Sequence, residues 1–220
     1  MDENKNMPAV EAGGASAGAR QQNPAVSRMA GEILEVLSRW AAERPRKEKK
    51  WHVLFYCPIC TNTISVSYST AKKSPPKCLR CGVDMVRYDE DAFARRRREL
   101  VEKAKSVLPN LTYVLVKTAE IYKRSIETWH IGYGGYIEFR VDKYDPTEFV
   151  YDFAHGSVHA RLYFFDLPHY REAADYLMAE VKRLGLRVEV EIYPPHTDPT
   201  LLPPQAKYDI ERNKYIIVAP

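Results

Sequence analysis

The sequence predicts an α+β fold: a small β-hairpin module followed by a C-terminal antiparallel sheet with one or two packed helices. Three observations predict it. All four cysteines of the 220-residue chain fall in one stretch, CPICTNTISVSYSTAKKSPPKCLRCG, from Cys57 to Gly82. Beyond it, short segments alternate apolar and polar residues at the period of a strand, as at Ile137, Phe139 and Val141. Other segments carry apolar residues at helical spacing, such as Met29, Ile33, Leu37 and Trp40. With 45% hydrophobic residues, the chain can bury one moderate core beside a small module.

Residues 1–22 are rich in Gly, Ala and Asn without periodicity and read as a disordered tail. Residues 23–44 read as an amphipathic helix, with Asn23 as its cap, Pro24 in its first turn and Pro45 after its end. The basic linker RPRKEKK leads into the cysteine module, residues 51–88. Residues 89–108 read as a basic helix with acids in the first turn, an apolar stripe of Phe93, Leu100, Ala104 and Val107, and Pro109 as its stop. Residues 109–220 read as an α+β domain. Strands are expected over 111–117, 136–143, 148–153 and 158–165, and a helix over 119–129. A further helix has Asp166 as cap, buries Ala174, Leu177, Met178 and Val181, and stops at Gly185. Leu186, Val188, Val190 and Ile192 then alternate with Arg187, Glu189 and Glu191 as a half-buried strand. After the Pro-rich YPPHTDPTLLPP comes a last strand around 208–218. This order is compatible with a ferredoxin-like sheet carrying extra strands.

The cysteines are spaced Cys57-x2-Cys60 and Cys78-x2-Cys81, which fits a tetrahedral four-sulfur site built from two tight turns. Each turn aims two thiolates at one point while backbone N–H groups steady the sulfurs, and Pro58 and Gly82 suit such turns. A structural Zn²⁺ is the natural occupant. Between the pairs, Ile64, Val66 and Tyr68 alternate with Ser65, Ser67 and Ser69, so the module reads as a β-hairpin clamped by metal. So small a unit folds only as it binds its ion. Two disulfides are the alternative. Clustering, with no cysteine left over and no secretory signal, speaks for metal. Intracellular disulfides of hyperthermophiles keep the alternative open, and a chain with 28% charged residues and only Gln21, Gln22 and Gln205 as glutamines is compatible with such a source.

The ligands and the alternating segment resemble the zinc-ribbon family over residues 57–82, in particular the short ribbons of transcription and translation proteins. The resemblance implies zinc more strongly than any activity. Ribbons resembling those of transcript-cleavage factors carry acids at the tip. Here the tip TAKKSPPK has Lys72, Lys73 and Lys77 and no acid, which disfavours that role.

The net charge of +4 is unevenly spread. From Arg39 to Lys105 there are seventeen Lys and Arg against eight Asp and Glu, whereas both flanks are net acidic. Lysines at a Pro-limited tip suit phosphates as point charges, and the run Arg95, Arg96, Arg97 and Arg98, with Arg80 and Arg87 nearby, suits bidentate phosphate contacts. The competing reading is a solvated face, with the arginines paired to Asp89, Glu90 and Glu99. GYGGYIEF, residues 132–139, resembles the aromatic strand of RNA-recognition-motif domains, which implies base stacking on Tyr133 and Tyr136. A glycine turn leading into a core strand is the plainer account.

His155, His159 and His169 lie near Asp152 and Asp166, and HGSVH spans a turn that can bring two imidazoles together. No His-Glu-x2-His, nucleophile elbow or phosphate-binding Gly-Lys-Ser/Thr loop is present. The two histidines one residue apart on a strand that single-strand-nicking replication enzymes carry are also missing. No apolar run has the length of a membrane span, and MDENKN is neither an export signal nor a transit peptide, so a cytoplasmic protein with no membrane partner is expected. The expected function is non-enzymatic binding of DNA or RNA through the ribbon and the Arg-rich helix, with protein contacts or self-association through the 23–44 helix or the C-terminal domain. A protein-docking adaptor and a nucleic-acid-processing enzyme using the histidines are the alternatives.

Overall fold

The computed structural model of the protein describes residues 23–45, 50–121, 123–141, 147–163, 170–193, 202, 204–212 and 214–218. The expected tail, most of the basic linker, the Asp166 cap, His169 and most of the Pro-rich connection lie outside them. The α+β class holds. Helix α1 (Pro24–Ala42) begins at Asn23, whose side chain accepts from the Ala25 N–H, and buries Val26, Ala30, Ile33, Leu37 and Trp40 at alternating steps of four and three.

The cysteine module is a three-stranded antiparallel sheet of β1 (His52–Tyr56), β2 (Thr63–Ser67) and β3 (Val86–Arg87), in the order β2-β1-β3. The hairpin is therefore β1–β2, and its turn is the first cysteine pair. It does not lie between the pairs: β2 runs into a single helical turn, α2 (Tyr68–Ala71), so 70–77 is a connection rather than a hairpin tip. Strand β1 is read poorly from sequence because HVLFY is a short apolar run without clean alternation.

Helix α3 (Glu90–Ile121) is the main departure from expectation. It continues through Pro109 for 32 residues, and 111–117, expected as a strand, is helical. Proline removes one donor and crowds the preceding turn, but it does not end a helix whose next turn is held by packing. Leu108, Leu111, Val114, Leu115 and Ala119 are fully buried at helical spacing, and each large one contributes about 2 kcal/mol. Val and Tyr in TYVLV favour a strand locally, but burial on the helical face overrides that preference. With 119–121 completing α3, the helix expected over 119–129 does not form.

The second sheet has seven strands: β4 (Thr128–Gly132), β5 (Tyr136–Arg140), β6 (Glu148–Asp152), β7 (Ser157–Tyr163), β8 (Arg187–Tyr193), β9 (Lys207–Asp209) and β10 (Lys214–Val218). Their order is β4-β5-β6-β7-β8-β10-β9. All neighbours are antiparallel except β7 and β8, which α4 (Tyr170–Arg183) joins as a parallel crossover. The sheet is mixed for that reason. A ferredoxin-like order needs two such crossovers, and the helical fate of 111–117 removes the first. The last strand is a hairpin, β9–β10.

Helices α1, α3 and α4 share one core with the inner face of this sheet, α3 lying between the other two. No helix among the described residues is long and apolar enough to cross a membrane. The cysteine module has a separate small core of Phe55, Met85 and cysteines, and Ala154 packs against both cores. Trp40 of α1 meets Phe153 edge-on, with centroids 5.5 Å apart. Gly135, at φ 75°, completes the β4–β5 turn against this junction, where an added Cβ would lie 3.5 Å from the Cys60 carbonyl.

Candidate metal centre and basic surface

The two cysteine turns have the same backbone. The Thr61 N–H donates to the Cys57 carbonyl (2.9 Å) and the Gly82 N–H to the Cys78 carbonyl (2.8 Å). The Cys57 and Cys78 N–H groups each donate, at 2.8 Å, to the carbonyls of Asn62 and Val83. Each turn closes on a left-handed residue, Thr61 at φ 60° and Gly82 at φ 70°. Glycine adopts that conformation freely, whereas for β-branched Thr61 it costs about 1–2 kcal/mol.

These turns bring the four sulfurs within 4.8 Å of one another, with Cys57, Cys60 and Cys78 buried and Cys81 partly so. The Cys60 and Cys78 sulfurs are 3.8 Å apart, and all four cysteines are free. A disulfide needs about 2.05 Å. Four thiolates about 2.3 Å from a central ion form a tetrahedron with edges of about 3.8 Å, so the donor set fits a tetrahedral metal ion. Burial pushes the Cys60 thiol up to about 11 and also raises that of Cys81, with neighbouring thiols adding to the latter. Burial opposes ionisation at Cys78 too, but backbone N–H groups of Cys81 and Arg80, with two neighbouring thiols, hold it below the ordinary value. Four thiolates this close are stable only around a cation.

The basic residues divide into two groups. Lys72, Lys73, Lys77, Arg87, Arg95 and Arg98 are exposed. Lys72 lies over the Tyr68 ring at 4.8 Å, and Lys77 is 4.0 Å from Asp84. The other three arginines are engaged within the fold. Arg80 donates to the Gly134 carbonyl, pairs with Asp152 at 2.6 Å and lies over the Tyr136 ring, docking the second cysteine turn on the larger sheet. Arg96 donates to the Ile59 carbonyl at 3.2 Å and pairs with Glu99 at 3.0 Å. Arg97 is no part of a phosphate surface. It is 5% exposed, donates to the Trp40 and Glu43 carbonyls at 2.5 and 2.9 Å, and lies over the Trp40 and Phe93 rings. A guanidinium there satisfies the last carbonyls of α1 and the negative end of its dipole. A run of four arginines on one helix must place one of them inward, but the sequence does not say which finds carbonyls to bond.

Tyr133 is 76% exposed in the β4–β5 turn, whereas the ring of Tyr136 is covered by Arg80. The two histidines of HGSVH serve different partners. His155 Nδ1 lies 2.7 Å from Asp152, and His159 stands 3.6 and 3.5 Å from Glu189 and Glu191. Glu191 also accepts from Lys214 and from the Tyr193 hydroxyl, so that carboxylate already has a cationic partner. Sequence patterning finds Glu191 as a strand residue but not this pairing, because Lys214 lies 23 residues away.

Fold and site together define an α+β chain in which a four-cysteine cluster able to hold a metal ion is docked on a larger mixed sheet. No protein-family model matches the chain, and comparisons with curated proteins and with solved structures find no match.

Proposed function

We propose that the protein is a zinc-stabilised, non-enzymatic nucleic-acid-binding protein. The observation that carries the reading is the convergence of Cys57, Cys60, Cys78 and Cys81 from two equivalent turns, in a ribbon whose exposed side chains include Lys72, Lys73, Lys77 and Arg87. All-thiolate tetrahedral sites favour Zn²⁺ among common ions. Arg95 and Arg98, exposed on the first turns of α3, supply further cationic side chains. Contacts of this type hold phosphates and leave sequence unread. Purified protein should carry one zinc per chain, and its binding to labelled DNA or RNA should weaken steeply with salt. Lys72→Glu with Lys73→Glu and Lys77→Glu should reduce affinity at low salt and flatten that slope. Zinc-free protein with intact ribbon signals, or binding insensitive to salt, would overturn the reading.

A second reading, a protein-docking adaptor, is favoured by apolar side chains on the ribbon. Leu79 at the second cysteine turn is fully exposed, and Trp51, Ile64, Tyr68 and Val86 are exposed as well. Association through them would persist at high salt.

A further inference from the structure

A cleft of about 700 Å³ lies where the end of α1, one face of the ribbon sheet and the β4–β5 turn meet. The volume is that of a small-ligand site. Its ribbon wall carries His52, Thr63 and Ser65, its floor Thr61 and Arg97, and its rim Tyr133. Two features of the floor remain incomplete within the fold. The Thr61 hydroxyl, on a residue 1% exposed, and the Arg97 Nε have no hydrogen-bond partner among the described residues. Arg97 has no carboxylate within ion-pair distance among those residues; Glu43 and Tyr133 act on it from farther away. Glu43 and Arg44, the latter paired with Glu90 at 2.8 Å, line the α1 side of the cleft. Thr63 and Ser65 add hydroxyls that donate and accept. Tyr133 adds an aromatic face, 76% exposed, on which a planar ring can stack.

We infer that this cleft takes one nucleotide of a single strand, its base stacked on Tyr133 and its edge or sugar bonded by Thr63 and Ser65. The inference rests on the nucleic-acid reading and deepens it, because a base is available for stacking only when unpaired. The exposed lysines and arginines hold any phosphate backbone, whereas the cleft selects an unpaired one.

The test compares a short labelled oligo(dT) strand with a labelled duplex of equal length, using the full-length, metal-loaded protein. Three proteins are measured: parent, Tyr133→Ala, and Thr63→Glu with Ser65→Glu, which places negative charge in the cleft from two surface positions. Zinc content and far-ultraviolet circular dichroism confirm that the variants keep the fold. Single-strand affinity is expected to fall between about fivefold and about a hundredfold in Tyr133→Ala, the range of one lost base–aromatic stack, with duplex affinity unchanged, and the doubly acidic variant should lose more affinity for single strand than for duplex. Uridine monophosphate added to the parent should shift the amide resonances of Thr61, Ser65 and Tyr133. Equal loss on single strand and duplex, or parent-like binding by both variants, would overturn the cleft assignment and leave the phosphate reading standing. Failure of the parent to bind either nucleic acid would remove both.

Discussion

Three side chains show how individual residues hold this fold. Arg97 closes α1, and Met in its place keeps the volume but orphans the Trp40 and Glu43 carbonyls. Arg97→Met should therefore destabilise the protein by about 2 kcal/mol, read as a lower urea midpoint at unchanged slope. Thr61 occupies the left-handed position that Gly82 occupies in the equivalent turn. Thr61→Gly removes about 1–2 kcal/mol of backbone strain and a buried, unbonded hydroxyl, against about 0.5–1 kcal/mol of added chain entropy. The variant should be more stable by about 1 kcal/mol in thermal unfolding.

Glu191 is the third. Burial raises its carboxyl, but the Lys214 ammonium, the His159 imidazole and the Tyr193 hydroxyl outweigh that and hold it below its ordinary 4.5. A carboxyl depressed in the folded state stabilises fully above its unfolded value and loses that contribution as pH falls through the folded one. The acid limb of the stability curve below about pH 4.5 should thus carry a Glu191 component. Glu191→Gln should be less stable near neutral pH by about 3 kcal/mol, because Lys214, 7% exposed, is left without its counter-charge, and it should lose less on acidification. Equal acid slopes for parent and variant would contradict this.

Among the elements, α3 is the one that joins the parts. Its first turns pack Phe93 edge-on against Tyr56 of β1, and its later turns fill the core beside the large sheet. Pro109 interrupts its hydrogen bonding at an exposed position, so its removal loses no packing. Replacing proline by alanine in a helix interior gains about 3 kcal/mol, less about 1 kcal/mol for the freer unfolded chain. Pro109→Ala should stabilise by about 2 kcal/mol, visible as a higher melting temperature. A loss of stability would mean that the proline shapes a bend the packing needs.

Across the whole molecule, two cores of unequal self-sufficiency are joined at Ala154. The larger buries many fully enclosed Leu, Ile, Val and Phe side chains, and the core of the cysteine module holds little beyond Phe55, Met85 and its own cysteines. A chelator should therefore unfold β1–β3 and leave the main sheet intact. Hydrogen exchange reads this directly: amides of His52–Tyr56 should lose protection while those of Ile137, Phe149 and Val190 keep theirs. Global loss of protection would show that the cysteine module supports the larger core.

The cysteine pairs were legible because a metal-ligand turn is local: four residues and a left-handed position suffice to aim two sulfurs. The strands 136–140, 148–152 and 187–193, and helices α1 and α4, were legible for a similar reason, since their apolar period matches the element they form. Helix α3 beyond Pro109 was not, because proline and the β-branched run after it argue locally against the burial that decides the matter. The six exposed basic residues and the three engaged ones look alike in a sequence, since an arginine's role depends on which carbonyl or ring it meets.

By itself, the sequence determined which atoms can gather around an ion and which segments are amphipathic, properties set within a few residues of chain. Only the tertiary structure decided that Arg97 faces inward, that Arg80 locks the cysteine module to the sheet and that a cleft opens beside Tyr133. Those outcomes depend on contacts between residues some fifty positions apart in the chain, such as Arg80 with Gly134 and Arg97 with Glu43, both 54 apart. Their energies exist only once the two cores have packed.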